Sequence, residues 1–235
     1  MQLCMARTSE AQDERELHMT AIIFDLDGTL IHSTPDLTVA VNRMLAEESA
    51  QALDEATLQG FVGDGLHKLV ERVISHAGLD AAKQDDLAAR TLAHYNAVNG
   101  QNTVLYPGVL DCLHALRTQG FDQGICTNKP EAPARHVLTH FGLSEIFATV
   151  VGGDTLTQRK PAPAPLLHTI EALGASADET VYVGDSEVDE ATARNASVPF
   201  ALYTKGYRKK PINDFEAAFI FDHFDDLTTW LAGRA

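Results

Sequence analysis

Cysteines, long apolar runs and basic residues are all scarce in this chain, and each shortage excludes a class of protein. The 235 residues include three cysteines, Cys4, Cys112 and Cys126, whose odd number and spacing give neither a disulfide framework nor a C-x-x-C metal site. No apolar run approaches the roughly 20 residues that span a bilayer. Lys and Arg total 18 against 33 Asp and Glu, a formal charge of −15, which argues against nonspecific nucleic-acid binding.

Residues 1–18 differ in character from the sequence that follows them. Asp13, Glu14, Arg15 and Glu16 interrupt this segment, so it lacks the apolar middle of a signal peptide. We therefore expect an N-terminal extension, a cytoplasmic location with reduced thiols, and no membrane partner. The hydrophobic fraction of 45% is ordinary for a globular protein.

Apolar runs bounded by turn residues alternate with helical patterns along the rest of the chain. This alternation favours a parallel sheet with helices between its strands. The predicted strands are 21–25, 121–127, 149–152, 180–184, 200–203 and 218–221.

The interval between the first two predicted strands is far longer than one crossover helix requires. Apolar residues at helical spacing predict four helices there, the first with Thr34 as its N-cap and Pro35 at its first position. The predicted fold class is α/β, with a doubly wound, Rossmann-like parallel-sheet core and an inserted helical cap domain. The predicted domains are an N-terminal extension at 1–18, a core at 19–33 and 103–235, and a cap at 34–102.

Polar side chains cluster where the predicted strands end. Asp25 and Asp27 follow the first strand, and two neighbouring carboxylates repel each other unless a cation or a shared proton lies between them. Gly28 permits a tight turn directly after them. Thr127 and Asn128 end the second strand and offer a hydroxyl and an amide to an oxyanion.

Further along the chain, Lys160 precedes a proline, and Asp185 and Asp189 follow the fourth strand. The carboxyl ends of parallel strands share one crevice, so these side chains should meet those of Asp25 and Asp27. Carboxylates without a Cys or His cluster suit Mg²⁺ better than Zn²⁺, and Mg²⁺ together with a lysine binds phosphate.

In order and spacing, these residues resemble the four motifs of the haloacid dehalogenase-like hydrolases. Within that family the details are similar to the bacterial phosphoglycolate phosphatases. The motif segments are Asp25-Leu26-Asp27-Gly28-Thr29-Leu30, Thr127-Asn128, Lys160-Pro161 and Gly184-Asp185-Ser186 with Asp189; the supporting segments are Gly60-Phe61-Val62-Gly63-Asp64-Gly65, Gly153-Asp154-Thr155-Leu156, the run from Lys160 to Pro165, and Gly206-Tyr207-Arg208.

The resemblance implies a Mg²⁺-dependent phosphoric monoester hydrolase that acts on a small phosphorylated substrate, most simply 2-phosphoglycolate. Asp25 would be the nucleophile that forms an aspartyl-phosphate, and Asp27 would be the general acid and base. Thr127 and the backbone N–H of Asn128 would bind the transferring phosphoryl oxygens, and Lys160 would offset their charge.

The resemblance also implies a metal site. The Asp25 carboxylate, the Asp27 backbone carbonyl and Asp185 would hold Mg²⁺, while Asp189 would support the metal's water shell or position Lys160. The remaining expected substrate-binding residues are Gly28, Gly63 and Gly65.

Several alternatives stay open from the sequence. The enzyme could instead be a phosphatase, pyrophosphatase or phosphomutase acting on a sugar phosphate or nucleotide, or the chain could be a non-catalytic metabolite-binding protein. It could be a monomer or a homodimer. Asp64, which stands where the family usually has Asn, and the neighbouring His67 and Lys68 could contact substrate or face solvent. Ser197 stands where the family usually has a helix-closing Gly.

Overall fold

A parallel six-stranded sheet forms the centre of the core, with the strand order β5-β4-β1-β6-β7-β8. The computed structural model describes residues 19–234, so the predicted extension at 1–18 lies outside the described residues. The strands in chain order are β1 (Ala21–Phe24), β2 (Ile31–His32), β3 (Val104–Leu105), β4 (Asp122–Cys126), β5 (Thr149–Val151), β6 (Thr180–Gly184), β7 (Phe200–Tyr203) and β8 (Phe219–Phe221).

Helices connect and cover these strands. They are α1 (Thr34–Glu47), α2 (Glu55–Gln59), α3 (Leu66–Ala77), α4 (Gln84–Val98), α5 (Val109–Thr118), α6 (Glu131–His140), α7 (Ala164–Leu173), α8 (Glu187–Ala196) and α9 (Phe224–Ala232), with short 3₁₀ turns at Ala81–Lys83 and Ile212–Asp214. Within residues 19–234, no helix combines the length and the apolarity that crossing a membrane requires.

The predicted α/β fold class with a doubly wound sheet is confirmed. Strand β1 lies between β4 and β6, and all four of its residues are fully buried because helices cover both faces of the sheet. All six predicted strands form within a residue or so of their expected bounds. The sequence pattern missed the antiparallel pair β2 and β3, since two residues per strand are too few to show a period.

The four helices expected between the first two sheet strands are α1 to α4, and they enclose a second apolar core. Its fully buried members are Ala40, Val41, Met44, Leu45, Leu58, Val70, Val73 and Leu87. A core separate from that of the sheet supports the proposed division into core and cap at 34–102.

The start of α1 differs from the prediction, and the end of α8 has an unusual backbone conformation. The N-cap of α1 is Ser33 rather than Thr34, which already lies in the helix and donates its hydroxyl to Glu55 Oε1 at 2.6 Å. The hydroxyl of Thr34 therefore fastens α2 to α1 instead of capping α1. At the end of α8, Ser197 adopts the left-handed conformation (φ 57°, ψ 39°) that a glycine would adopt without steric penalty.

A single buried carboxylate fastens the two chain segments that join cap to core. Asp36, in the first turn of α1, accepts hydrogen bonds from the backbone N–H groups of Gly100, Asn102 and Thr103 at 2.9–3.1 Å. It also accepts from the Asn102 amide at 2.9 Å and the Thr103 hydroxyl at 2.7 Å. Burial opposes its charge, but these donors hold the pKa of Asp36 below its usual range.

Candidate active site

The carboxyl ends of β1, β4 and β6 bring the predicted site residues together. Asp25 and Asp27 leave β1, while Thr127 leaves β4 and Asp185 leaves β6. Asp25, Thr127 and Asp185 are buried, and Asp27 is partly exposed to the cavity between core and cap. The topology, with β1 between its two partners, therefore produces the predicted convergence.

Lys160 lies at the centre of the buried charges. Its ammonium is 2.9 Å from Asp25 Oδ1 and 2.7 Å from Asp189 Oδ1, and it donates to the Tyr182 hydroxyl at 2.8 Å. Tyr182 in turn donates to the Cys126 carbonyl at 2.9 Å. The ammonium is thus fixed beside the predicted nucleophile.

Asp189 uses both of its oxygens within the protein. Oδ1 accepts from Lys160 and lies 3.0 Å from the Tyr182 hydroxyl oxygen, whose one proton is shared between this oxygen and the Cys126 carbonyl. Oδ2 accepts from the Ser186 backbone and hydroxyl at 3.0 and 2.6 Å and from the Asp185 backbone at 3.3 Å. These bonds cap α8 and orient Lys160. Of the two roles expected for Asp189, they favour positioning Lys160 over supporting the metal's water shell.

Asp185 is held from both sides by short contacts. Thr29 Oγ1 donates to its Oδ1 at 2.8 Å, and the Tyr207 backbone N–H donates to its Oδ2 at 2.6 Å. Gly28 has φ +92°, and a Cβ there would lie 2.6 Å from Asp185 Oδ2. Gly28 therefore serves the close approach of the turn to Asp185 as well as the turn itself.

The residues present fit a hard divalent cation. Asp25, Asp185 and Asp189 each offer an oxygen within 4.8 Å of the others, and Lys160 neutralises one of the three charges. Burial raises the pKa of Asp25 to about 6 and raises that of Asp185 well above its ordinary value. Burial also opposes the charge of Asp189, but Lys160 keeps the pKa of Asp189 below its usual range.

Asp27 has a partner that the sequence analysis did not identify. The Lys129 ammonium lies 2.8 Å from Asp27 Oδ1 and 3.2 Å from Oδ2, and it donates to the hydroxyl of Tyr95 from the cap at 2.5 Å. Burial alone would lower the pKa of Lys129, but the Asp27 carboxylate raises it above its ordinary value. The signal was available, since Lys129 directly follows the Thr127-Asn128 motif.

The cap loop reaches the predicted phosphate-binding residues through Asn128. The Asn128 amide donates to the carbonyls of Gly63 and Lys160, both at 3.1 Å. Gly65 has φ +86°, and a Cβ there would lie 3.2 Å from the Asn128 carbonyl oxygen. Gly63 and Gly65 both line the cavity with Asp25 and Thr127, as expected.

The three cap residues left open by the sequence have partners within the cap. Asp64 pairs with Arg72 at 2.5 Å, and the same guanidinium donates to the Phe61 carbonyl at 2.7 Å. His67 lies 3.0 Å from Asp85, and Lys68 pairs with Glu71; both pairs are exposed. Asp64 thus shapes its loop, and its charge is compensated within the cap.

Comparisons with known proteins agree with this geometry. A family model described as haloacid dehalogenase-like hydrolase matches residues 22–203. A phosphoglycolate phosphatase of Cereibacter sphaeroides is 46% identical over 211 residues, covering 89% of this chain and 96% of that protein. One of Rhodospirillum rubrum is 47% identical over 217 residues, covering 90% of each.

Solved structures give the same result. The crystal structure of a predicted phosphoglycolate phosphatase from Haemophilus somnus matches with a TM-score of 0.86 at 30% identity, covering 91% of this chain and 98% of that one. The family resemblance carried by the motifs is therefore confirmed.

Proposed function

The chain belongs to the haloacid dehalogenase-like hydrolase family, and on that basis we propose that it hydrolyses 2-phosphoglycolate to glycolate and phosphate. One observation carries this proposal. A buried carboxylate, Asp25, lies against the Lys160 ammonium at the floor of a cavity, and a second carboxylate, Asp27, lines the same cavity. A nucleophile with a nearby acid and a fixed cation is the arrangement that phosphoryl transfer requires.

In the first half of the reaction, an Asp25 oxygen forms a bond to phosphorus as the bond from phosphorus to the ester oxygen breaks. The departing glycolate oxygen takes a proton from the Asp27 carboxyl group. The Lys160 ammonium and the donors at Thr127 and Asn128 stabilise the charge that spreads over the phosphoryl oxygens.

In the second half, Asp27 takes a proton from a water molecule, which attacks phosphorus. The bond between phosphorus and Asp25 breaks, inorganic phosphate leaves, and Asp27 is again protonated for the next cycle. The protein must exclude other waters during this sequence, and the apolar cap wall above Asp25 does so.

The metal of this proposal is Mg²⁺, held by the Asp25 carboxylate, the Asp27 backbone carbonyl and Asp185. When bound, it would supply positive charge that neutralises both the carboxylates and the phosphate. Asp189 would act on the site through Lys160, to which it is bonded at 2.7 Å.

The proposal is tested with a panel of phosphate esters that includes 2-phosphoglycolate, sugar phosphates, nucleotides and pyrophosphate. We expect the highest kcat/KM for 2-phosphoglycolate, loss of turnover in chelator, and recovery with Mg²⁺. Ca²⁺ should inhibit, because it takes more ligands at longer distances than Mg²⁺ does. A preference for another ester would overturn the substrate assignment, and undiminished turnover by metal-free protein would overturn the metal's role.

A cytoplasmic location and a monomeric or homodimeric state remain parts of this proposal. Cys112 and Cys126 are both buried and free, which supports the expectation of reduced thiols. Size-exclusion chromatography with light scattering tests the oligomeric state.

A further inference from the structure

The wall of the cavity opposite the nucleophile is apolar. The cap contributes Leu37, Val62, Leu66, Leu69 and Leu92 to this wall. A carboxylate buried against these side chains would lose its hydration without gaining a partner, which is strongly unfavourable. The proposed substrate nevertheless carries a carboxylate at the end remote from its phosphate. A residue that lines the cavity therefore has to bind this carboxylate.

Lys129 is the one cationic residue among the described residues that line this cavity. Its side chain is only 3% exposed, and its ammonium lies between Asp27 of the core and Tyr95 of the cap. Lys160, the other buried cation near the nucleophile, is engaged at Asp25 and Asp189 on the phosphate side. The two lysines therefore offer one cation for each anionic end of the substrate.

The ammonium of Lys129 is held in place by an ordered chain of hydrogen bonds. The Tyr95 hydroxyl donates to Asn99 Oδ1 at 2.8 Å, so its oxygen is free to accept from Lys129. The Asn99 amide donates to the Pro133 carbonyl of the core at 2.9 Å. Lys129 is thus a preorganised cation at the boundary between cap and core.

The position of Lys129 also matches the covalent structure of 2-phosphoglycolate. The carboxylate carbon of this molecule is two bonds from the ester oxygen that Asp27 would protonate. A cation for the carboxylate must therefore lie a few ångströms from the Asp27 carboxyl group, and the Lys129 ammonium lies 2.8 Å from Asp27 Oδ1. The cap residues His67 and Lys68 are exposed and paired with Asp85 and Glu71.

We propose that Lys129 binds the substrate carboxylate and sets the enzyme's preference for a phosphorylated acid over a neutral ester. This inference rests on the proposed function, since it assigns the residue that recognises the remote end of 2-phosphoglycolate. Tyr95 serves as a positioning residue that holds the ammonium toward the cavity.

The test compares two substrates that differ only at that remote end, 2-phosphoglycolate and 2-hydroxyethyl phosphate. The measured quantity is the ratio of their kcat/KM values for the wild type, Lys129→Met and Lys129→Arg, all with Mg²⁺. Lys129→Met should lower the ratio by about 30-fold or more, mainly through KM for 2-phosphoglycolate, because a charged hydrogen bond is lost. Lys129→Arg should retain a clear preference for the acid.

Lys68→Met is the matched control, a cap lysine outside the cavity whose loss should leave the ratio unchanged. Loss of the Asp27 contact alone would slow both substrates equally, so an unchanged ratio in Lys129→Met would overturn the inference. Should the Met variant fail to fold, Lys129→Gln gives the same comparison. Failure of the wild type to turn over 2-phosphoglycolate would instead reject the proposed function and this inference with it.

Discussion

At the level of single residues, three aspartates of the site differ in their hydrogen-bond donors and in the direction of their pKa shifts. Asp25, Asp185 and Asp189 are all buried within one cluster, yet Asp185 accepts one neutral donor on each oxygen, whereas Asp189 accepts the Lys160 ammonium on Oδ1 and several donors on Oδ2. The pKa of Asp25 is raised to about 6 by burial, whereas Lys160 holds that of Asp189 below its usual range. The number of nearby donors therefore decides which carboxylate stays available for chemistry.

The first residue-scale prediction concerns the nucleophile. Asp25→Asn should fold normally but lose at least about 1,000-fold in kcat, because an amide cannot form the aspartyl-phosphate. Asp226→Asn, an exposed change in the first turn of α9, is the control and should retain the wild-type rate. Steady-state rates with Mg²⁺ check this, and a folded Asp25→Asn variant with most of the wild-type rate would disprove the assignment.

The second residue-scale prediction concerns pH and metal removal. The folded-state pKa of Asp25 lies near 6, above its ordinary value of 3.8, so the folded protein binds this proton more tightly than the unfolded chain does. Ionised Asp25 therefore opposes folding above about pH 6, and in chelator the free energy of unfolding should rise as pH falls from 7.5 to 5. The rise should be about 1.4 kcal/mol.

Urea unfolding at a series of pH values measures this effect. Saturating Mg²⁺ should flatten the dependence, because a bound cation keeps Asp25 ionised without penalty. Histidines titrate in the same range, so the informative quantity is the difference between the wild type and Asp25→Asn in chelator. An identical pH dependence in the two proteins would show that Asp25 does not carry the effect.

At the level of helices and strands, apolar periodicity predicted the six strands of the sheet and the four cap helices, but the residue types misplaced the start of α1. Thr34 has the residue type of an N-cap, yet Ser33 occupies that position and Thr34 bonds Glu55 instead. The contact joins residues of different helices, so no local pattern reports it. Local residue types therefore identified the helix, whereas a contact between two helices decided the role of the Thr34 hydroxyl.

Asp36 gives the clearest element-scale prediction. Asp36→Ala should lower the free energy of unfolding by about 3 kcal/mol or more, because buried donors of segment 100–103 lose their acceptor. Asp111→Ala is the matched control: it also removes an acid from the first turn of a helix, but this one is exposed. The control should change stability by about 0.5 kcal/mol or less.

Urea denaturation of both variants measures these changes in the free energy of unfolding. Equal losses in the two variants would mean that Asp36 contributes only its charge near a helix N-terminus. A large loss confined to Asp36→Ala would assign it to the junction between cap and core.

Across the molecule, the sequence predicted the site residues that lie at the strand ends of the sheet, and it missed the residue that bridges core and cap. Asp25, Lys160 and Asp185 converge because parallel strands share one edge, a rule that applies to any such sheet. Lys129 acquires its surroundings only when Tyr95 of α4 in the cap accepts a hydrogen bond from its ammonium beside Asp27. Nothing in the spacing of these three residues indicates that contact.

The contact between cap and core also depends on Gly65, whose loop approaches Asn128 of the core. This residue combines φ +86° and ψ 166°, a region open essentially to glycine, with a close approach to the Asn128 carbonyl oxygen. Gly65→Ala should push the cap loop away from Asn128 and lower kcat/KM for 2-phosphoglycolate by about 10-fold or more, since small displacements of positioning groups are costly in catalysis.

Gly78→Ala supplies the comparison that separates closure from backbone strain. Gly78 also has a positive φ, +67°, but a Cβ there would meet nothing within 4 Å, because Gly78 ends α3 at the surface of the cap. Gly78→Ala should lose on the order of 1 kcal/mol of stability from its left-handed backbone, and Gly65→Ala up to about 3 kcal/mol from its glycine-only conformation, whereas only Gly65→Ala should lose activity. Equal activities in the two variants would mean that the cap loop tolerates displacement, and that contacts such as the one between Lys129 and Tyr95 suffice to close the site.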